Sequence, residues 1–179
     1  MSWIIQPPPL PPGGVVLVAY DPAWPTMFEQ LAARIRSALG DRLVQIEHVG
    51  STSVPGLRAK AIIDIALAVP ASPDEGAYAP DLERAGFVLH VREPEWHQHR
   101  LFKATEPACN LHVFSAGCPE IERYIAFRDR LRAVPEEREE YERVKVALAK
   151  RRWRYMQQYA DAKSDIVEAI IARAAEAAR

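Results

Sequence analysis

The sequence predicts an α+β fold, a mixed β-sheet covered by helices, and three observations carry that expectation. Short apolar runs bounded by turn residues fill the chain as far as Phe114, the pattern after Gly117 is helical to the end, and no segment repeats. A length of 179 residues suits one domain with a sizeable core, and a second full domain would be cramped.

Pro7, Pro8, Pro9, Pro11 and Pro12 make residues 1–14 an extended arm that can add little to a core. A single domain is expected over residues 15–179. Residues 15–20 read as a buried strand broken by Asp21-Pro22, and Trp24-Pro25 leads into a helix. Thr26 and Glu29 have capping-box spacing, Phe28, Leu31, Ile35 and Leu39 trace one apolar face, and Gly40 ends the helix. Residues 43–48 form the next strand, 50–57 are rich in turn residues, and 61–69 are the most hydrophobic strand of the chain. A short helix over 78–85 ends at Gly86, and strands follow at 87–91, 100–103 and 111–114. The helical part covers 118–179. Pro119, with Glu120 and Glu122 in the first turn, opens one helix; Pro135 divides it from a longer one over 136–158; the last covers 160–177.

Composition excludes several classes. A formal net charge of −1 provides no overall positive field, so nucleic acid is not the expected partner. Cys109 and Cys118 lack zinc-site spacing, no apolar run approaches a membrane span, and the proline-rich start is unlike a signal peptide. A cytoplasmic protein with no membrane partner is the expectation.

Candidate chemistry centres on residues 48–64. Gly50, Ser51, Thr52 and Ser53 combine close backbone approach with three successive hydroxyls, a ready anion cradle. The alternative is a tight turn whose hydroxyls cap their own backbone. Asp64 interrupts an apolar strand, where a carboxylate is costly unless paired, hydrogen-bonded or metal-bound; a structural ion pair, to Lys60 or a helix arginine, is the alternative. Arg128, Lys145 and Lys163 each lie beside the apolar stripe of a helix. They either cover apolar surface with their stems or share an anionic partner, carboxylate or phosphate.

The string His48-Val49-Gly50-Ser51-Thr52-Ser53-Val54-Pro55-Gly56-Leu57, followed by Ala59-Lys60 and Ile62-Ile63-Asp64-Ile65, resembles the signature of the GrpB family. Tyr20-Asp21-Pro22-Ala23-Trp24-Pro25, Phe127-Arg128-Asp129 with Leu131-Arg132, and Tyr141 with Lys145 agree with it, so the resemblance spans nearly everything after the arm. That family is similar to the nucleotidyltransferase superfamily. The resemblance therefore implies a nucleotidyltransferase-like mixed sheet, a Gly-Ser turn for a nucleotide's phosphates, and a strand-borne carboxylate pair for divalent metal. Gly50-Ser51 matches the turn and Asp64 the first carboxylate, but the second position holds Ala66. Residues two apart share a strand face, so Ala66 faces the site and cannot bind metal. A two-metal mechanism needs ligands on both ions. His48, His112 and Asp64 could together form a metal site suited to manganese or zinc. His97 and His99, in polar surroundings, read as a solvated loop.

The expectation is a protein that binds a phosphorylated small molecule or nucleotide through Gly50, Ser51, Thr52, Ser53, Lys60, Arg128, Lys145 and Lys163. Asp64 would be the catalytic residue, with magnesium or manganese as cofactor, if transfer chemistry is retained. The alternative is a non-catalytic accessory or protein-interaction module. The resemblance connects that alternative to coenzyme A synthesis, because domains similar to this family are fused to dephospho-CoA kinase.

Overall fold

The computed structural model describes residues 2–6, 9–10 and 14–177. In chain order the elements are β1 (Ser2–Trp3), α1 (Trp24–Leu39), β2 (Gln45–Val49), β3 (Ile63–Val69), α2 (Ala79–Arg84), β4 (Val88–Glu93), β5 (His99–Thr105) and β6 (Ala108–Ser115). The helices α3 (Pro119–Ala133), α4 (Pro135–Ala149), α5 (Met156–Asp161) and α6 (Ser164–Ala177) complete the chain. The strands form one mixed sheet in the order β1-β4-β5-β6-β3-β2, in which only β3 and β6 run parallel.

β3 is apolar at every position except Asp64 because it lies inside the sheet and is covered on both faces. Ile63, Ile65, Leu67 and Val69 face α1 and α2, where they pack with Phe28, Leu31, Ile35, Leu39, Leu82, Phe102 and Leu111 in the main core. Asp64, Ala66 and Ala68 point to the opposite face with Asn110, His112 and Phe114 of β6, their partners in register. That second face is covered by the helical half. Ile121 and Tyr124 of α3 close one end of it, while Phe127, Leu131, Tyr141 and Ile170 join Val54 and Leu57 beside the Gly-Ser turn.

Several boundaries differ from the sequence expectation, each for a local reason. Residues 15–20 form no strand; Val18 exchanges both backbone hydrogen bonds with Ala59, a loop residue, so the pairing stops at one bridge. Helix α1 begins at Trp24, and the Asp21 carboxylate accepts from the Ala23 N–H at 2.8 Å, so Thr26 lies inside the first turn and no capping box forms. The long helix expected over 136–158 stops at Ala149. The Trp153 indole N–H donates to the Leu148 carbonyl, and Gln158 Oε1 accepts from the Arg154 and Tyr155 N–H groups to start α5.

The arm contributes more than its prolines suggest. Ser2 and Trp3 pair with Arg92 and Val91 on the edge of β4, and Leu10 packs against Val15, Leu148 and Tyr159. Pro7, Pro8, Pro11 and Pro12 lie outside the described residues. No described helix is long and apolar enough to cross a membrane.

Candidate functional site

The Gly-Ser turn is fixed by its neighbours before it can act on anything. Gly50 has φ 69° and ψ −171°, a region that side chains exclude, and residues 51–53 then make one 3-10 turn. The Ser53 hydroxyl donates to the Gly50 carbonyl at 2.6 Å, and Arg132 donates twice to the Ser53 carbonyl. Thr52 Oγ1 lies 3.0 Å from His48 Nε2. Two of the three hydroxyls therefore hold the turn itself. The third, Ser51, receives the ammonium of Lys145 at 2.8 Å on the wall of a cavity of about 400 Å³.

That cavity lies between the second face of the sheet and the helices α3, α5 and α6. Gly50, Ser51, Thr52, Lys60, Asp64, His112, Lys145 and Lys163 line it, with Lys103 of β5 and Asn110 of β6. Its size is that of a small-ligand site. Asp64 is held by the Asn110 amide at 2.8 Å, opposite in the parallel register.

The charges around the cavity are unequal. Arg123 is occupied by Glu120 and Glu168, whereas none of Lys60, Lys103, Lys145 and Lys163 forms an ion pair among the described residues. Burial pushes Lys145 down to about 7, helped by the like charge of Lys163, and burial also lowers Lys60, Lys103 and Lys163. The Lys145 ammonium also donates to the Arg58 carbonyl and stands 5.1 Å from the Tyr141 ring centre; Lys163 stands 4.8 Å over Tyr159. The Tyr159 hydroxyl is buried with no hydrogen-bond partner among the described residues.

Three expected site residues do not line the cavity: Ser53, whose hydroxyl is turned to the Gly50 carbonyl, Arg128 and His48. Arg128, with its side chain 11% exposed, donates to Glu47 and to the His48 carbonyl and also pairs with Asp129. It neutralises Glu47 of β2 and Asp129 of α3 and does not line the cavity. His48 pairs with Ile65 rather than Asp64, so its ring points to the opposite face, where it stacks on Phe28 at 4.8 Å. The set Asp64, His48 and His112 therefore does not assemble, and no group of three or more His, Cys, Asp or Glu among the described residues is placed to hold a metal. Ala66 points toward the second face as expected, but it is sealed with Val49, Phe114 and Ile121 and stays out of the cavity. The donor set does not fit a two-ion centre.

His99, expected in a solvated loop, is 2% exposed and begins β5. Sequence reasoning also passed over Lys103 and Asn110. Lys103 alternates with buried Phe102 and Ala104, a signal that was present; Asn110 meets Asp64 only through a parallel pairing that no local pattern encodes.

The model of the family described as "GrpB protein" matches residues 14–173. The chain belongs to the GrpB family. A relative from Halalkalibacterium halodurans, UPF0157 protein BH1888, is 56% identical over 160 residues, which cover 89% of this chain and 82% of that protein. The crystal structure of conserved protein GrpB from Enterococcus faecalis superposes with a TM-score of 0.75 at 28% identity, covering 89% of this chain and 96% of that one. A dephospho-CoA kinase of Mycolicibacterium paratuberculosis is 29% identical over 164 residues, covering 76% of this chain but only 40% of that protein. The GrpB fold thus recurs with the mixed sheet and helical half seen here.

Proposed function

We propose that the cavity between the sheet and α3, α5 and α6 binds a phosphorylated small molecule or nucleotide. The observation that carries this reading is the convergence of Lys60, Lys103, Lys145 and Lys163, without ion-pair partners among the described residues, on one cavity beside the Gly50-Ser51 turn. Crowded, buried ammonium groups disfavour their own charged forms, as the lowered Lys145 illustrates, and an anion reverses that cost. Ser51 and Lys145 would hold phosphate, while Asp64, oriented by Asn110, would face a polar part of the ligand.

The geometry supports binding more strongly than two-metal nucleotidyl transfer, because Ala66 supplies no ligand and His48 faces away. The similarity to part of a dephospho-CoA kinase favours a second reading, a supporting binding module in coenzyme A synthesis. Calorimetric titration with nucleotides and phosphorylated coenzyme A precursors tests the first. At least one ligand should bind and be weakened about tenfold to a hundredfold by Lys163→Ala, the loss of one charge-assisted contact. Arg138→Ala, a control that does not line the cavity, should leave affinity unchanged. Equal loss from both would mean diffuse attraction.

A further inference from the structure

Glu93, His99 and His112 share one face of three adjacent strands, β4, β5 and β6, and form a single hydrogen-bonded chain. His99 Nδ1 lies 2.8 Å from Glu93 Oε2, and His99 Nε2 lies 3.1 Å from His112 Nδ1. The two imidazoles stack with ring centres 5.2 Å apart, Trp96 sets its edge against His99, and Tyr124 of α3 packs against His112. The outer end of the chain is a carboxylate; the inner end, His112, lines the lysine-rich cavity.

This order dictates where the protons sit. A carboxylate only accepts, so His99 carries its proton on Nδ1 and presents a lone pair at Nε2. That lone pair requires a donor, which is the Nδ1–H of His112. The Nε2 of His112 is then left as a bare lone pair, and among the described residues it has no hydrogen-bond partner. Burial favours the neutral rings: it lowers His99, and with the nearby His99 it pushes His112 down to about 4. The other groups that act on His112 are Asp64 of β3, Glu93 of β4 and Lys103 of β5. A network needed only to satisfy the Glu93 carboxylate could end at His99; this one continues to the cavity.

We propose that Glu93, His99 and His112 form a hydrogen-bond relay whose inner end, His112 Nε2, is held as a bare acceptor for a hydroxyl of the bound phosphate ester and so selects for that hydroxyl. The inference rests on the anion-binding reading for its ligand and names that ligand's class: a phosphate monoester or nucleotide with a free hydroxyl. The ligand hydroxyl donates to His112 Nε2, the Nδ1–H of His112 donates to His99 Nε2, and the Nδ1–H of His99 donates to the Glu93 carboxylate, so no proton leaves its atom and every donor in the chain has an acceptor. His112 is the residue that meets the ligand in this scheme, and His99 and Glu93 position it by fixing its tautomer.

Nitrogen-15 NMR of the ring nitrogens in the ligand-free protein tests the tautomers directly. His112 is expected to carry its proton on Nδ1, and His99→Phe, which keeps a flat ring but removes the acceptor, should shift that ratio about fivefold to tenfold toward Nε2–H. Glu93→Gln, a gentler change, should shift it in the same direction. A wild-type His112 protonated on Nε2 would overturn the relay whatever binds in the cavity. Titration with glycerol 3-phosphate then addresses the ligand. Movement of the Lys163 signals together with His112 Nε2, but of Lys163 alone with inorganic phosphate, supports hydroxyl recognition by His112; ester binding that leaves His112 unmoved removes it. If neither anion moves Lys163, the anion-binding reading fails, and recognition of such an ester by His112 fails with it, while the tautomer result separately decides the relay.

Discussion

A Cβ added at Gly50 would lie 2.4 Å from Asp64 Oδ2 and 2.9 Å from Asp64 Cβ, so the turn and the carboxylate can be neighbours only because position 50 has no side chain. The terminal oxygen could swing aside, but the Cβ of a sheet residue cannot. The backbone at Gly50 also occupies a region essentially restricted to glycine. Gly50→Ala is therefore expected to cost about 2–4 kcal/mol, strain and overpacking together. Denaturant unfolding measures the loss, and the Asn110 side-chain amide signal, which reports its bond to Asp64, should move with it. A variant as stable as the parent would show that the turn relaxes away from Asp64.

Arg128 and Lys163 separate stability from binding. Arg128 has its guanidinium shared between Glu47, Asp129 and the His48 carbonyl, so Arg128→Ala should destabilise by about 1–3 kcal/mol by leaving Glu47 and the carbonyl short of a partner. Its effect on anion affinity should be small. Lys163→Ala should do the reverse, lowering affinity while costing little stability. Parallel unfolding and calorimetry on both variants read this out, and an affinity loss from Arg128→Ala equal to that from Lys163→Ala would return Arg128 to the site.

Lys145 makes the binding depend on pH. Its pKa in the fold is lowered to about 7 from the ordinary 10.5, mainly by burial. Between those values the unfolded chain holds a proton that the folded one does not, so this group makes stability rise as pH rises from about 7 toward 10. Anion affinity runs the other way, because the anion needs the charged form. Sulfate, which does not titrate in this range, should bind more weakly as pH rises through about 7 to 9. Lys145→Ala should bind more weakly throughout and lose most of that slope. A wild-type affinity flat with pH would mean that Lys145 stays charged or stays out of the contact.

Much of this arrangement was legible in the sequence because it follows from local periodicity. The apolar face of Phe28, Leu31, Ile35 and Leu39, the buried strand around Asp64 and the inward lean of Lys145 and Lys163 all appear where the spacing put them. The same lean at Arg128 was read correctly as a direction, but its partner Glu47 is 81 residues away and only tertiary packing brings it there. His48 failed for a reason of parity: the antiparallel register sets Val49, not His48, opposite Asp64, and a one-residue shift moves a side chain to the other face. Ser2 and Trp3 carry no strand pattern at all; an exposed edge of β4 recruits them.

Ala66 is where the resemblance to nucleotidyltransferases can be put to a direct test. If the missing carboxylate were the only obstacle to a metal pair, Ala66→Asp would restore it. The packing argues otherwise, because Ala66 is fully buried among Val49, Ala68, Phe114 and Ile121 beneath α3 and does not reach the cavity that Asp64 lines. A carboxylate there loses its water without gaining a ligand, which should cost about 2–5 kcal/mol near neutral pH. Burial raises the pKa of such a group above its unfolded value, so the folded state binds the extra proton and the deficit should shrink as pH falls toward 4. Unfolding at pH 7 and at pH 4.5 reads that difference, and titration with manganese should find no tighter binding than in the parent. Manganese bound tightly by Ala66→Asp, and lost again in the double variant with Asp64→Asn, would show that α3 yields and that a metal pair can be rebuilt on this strand.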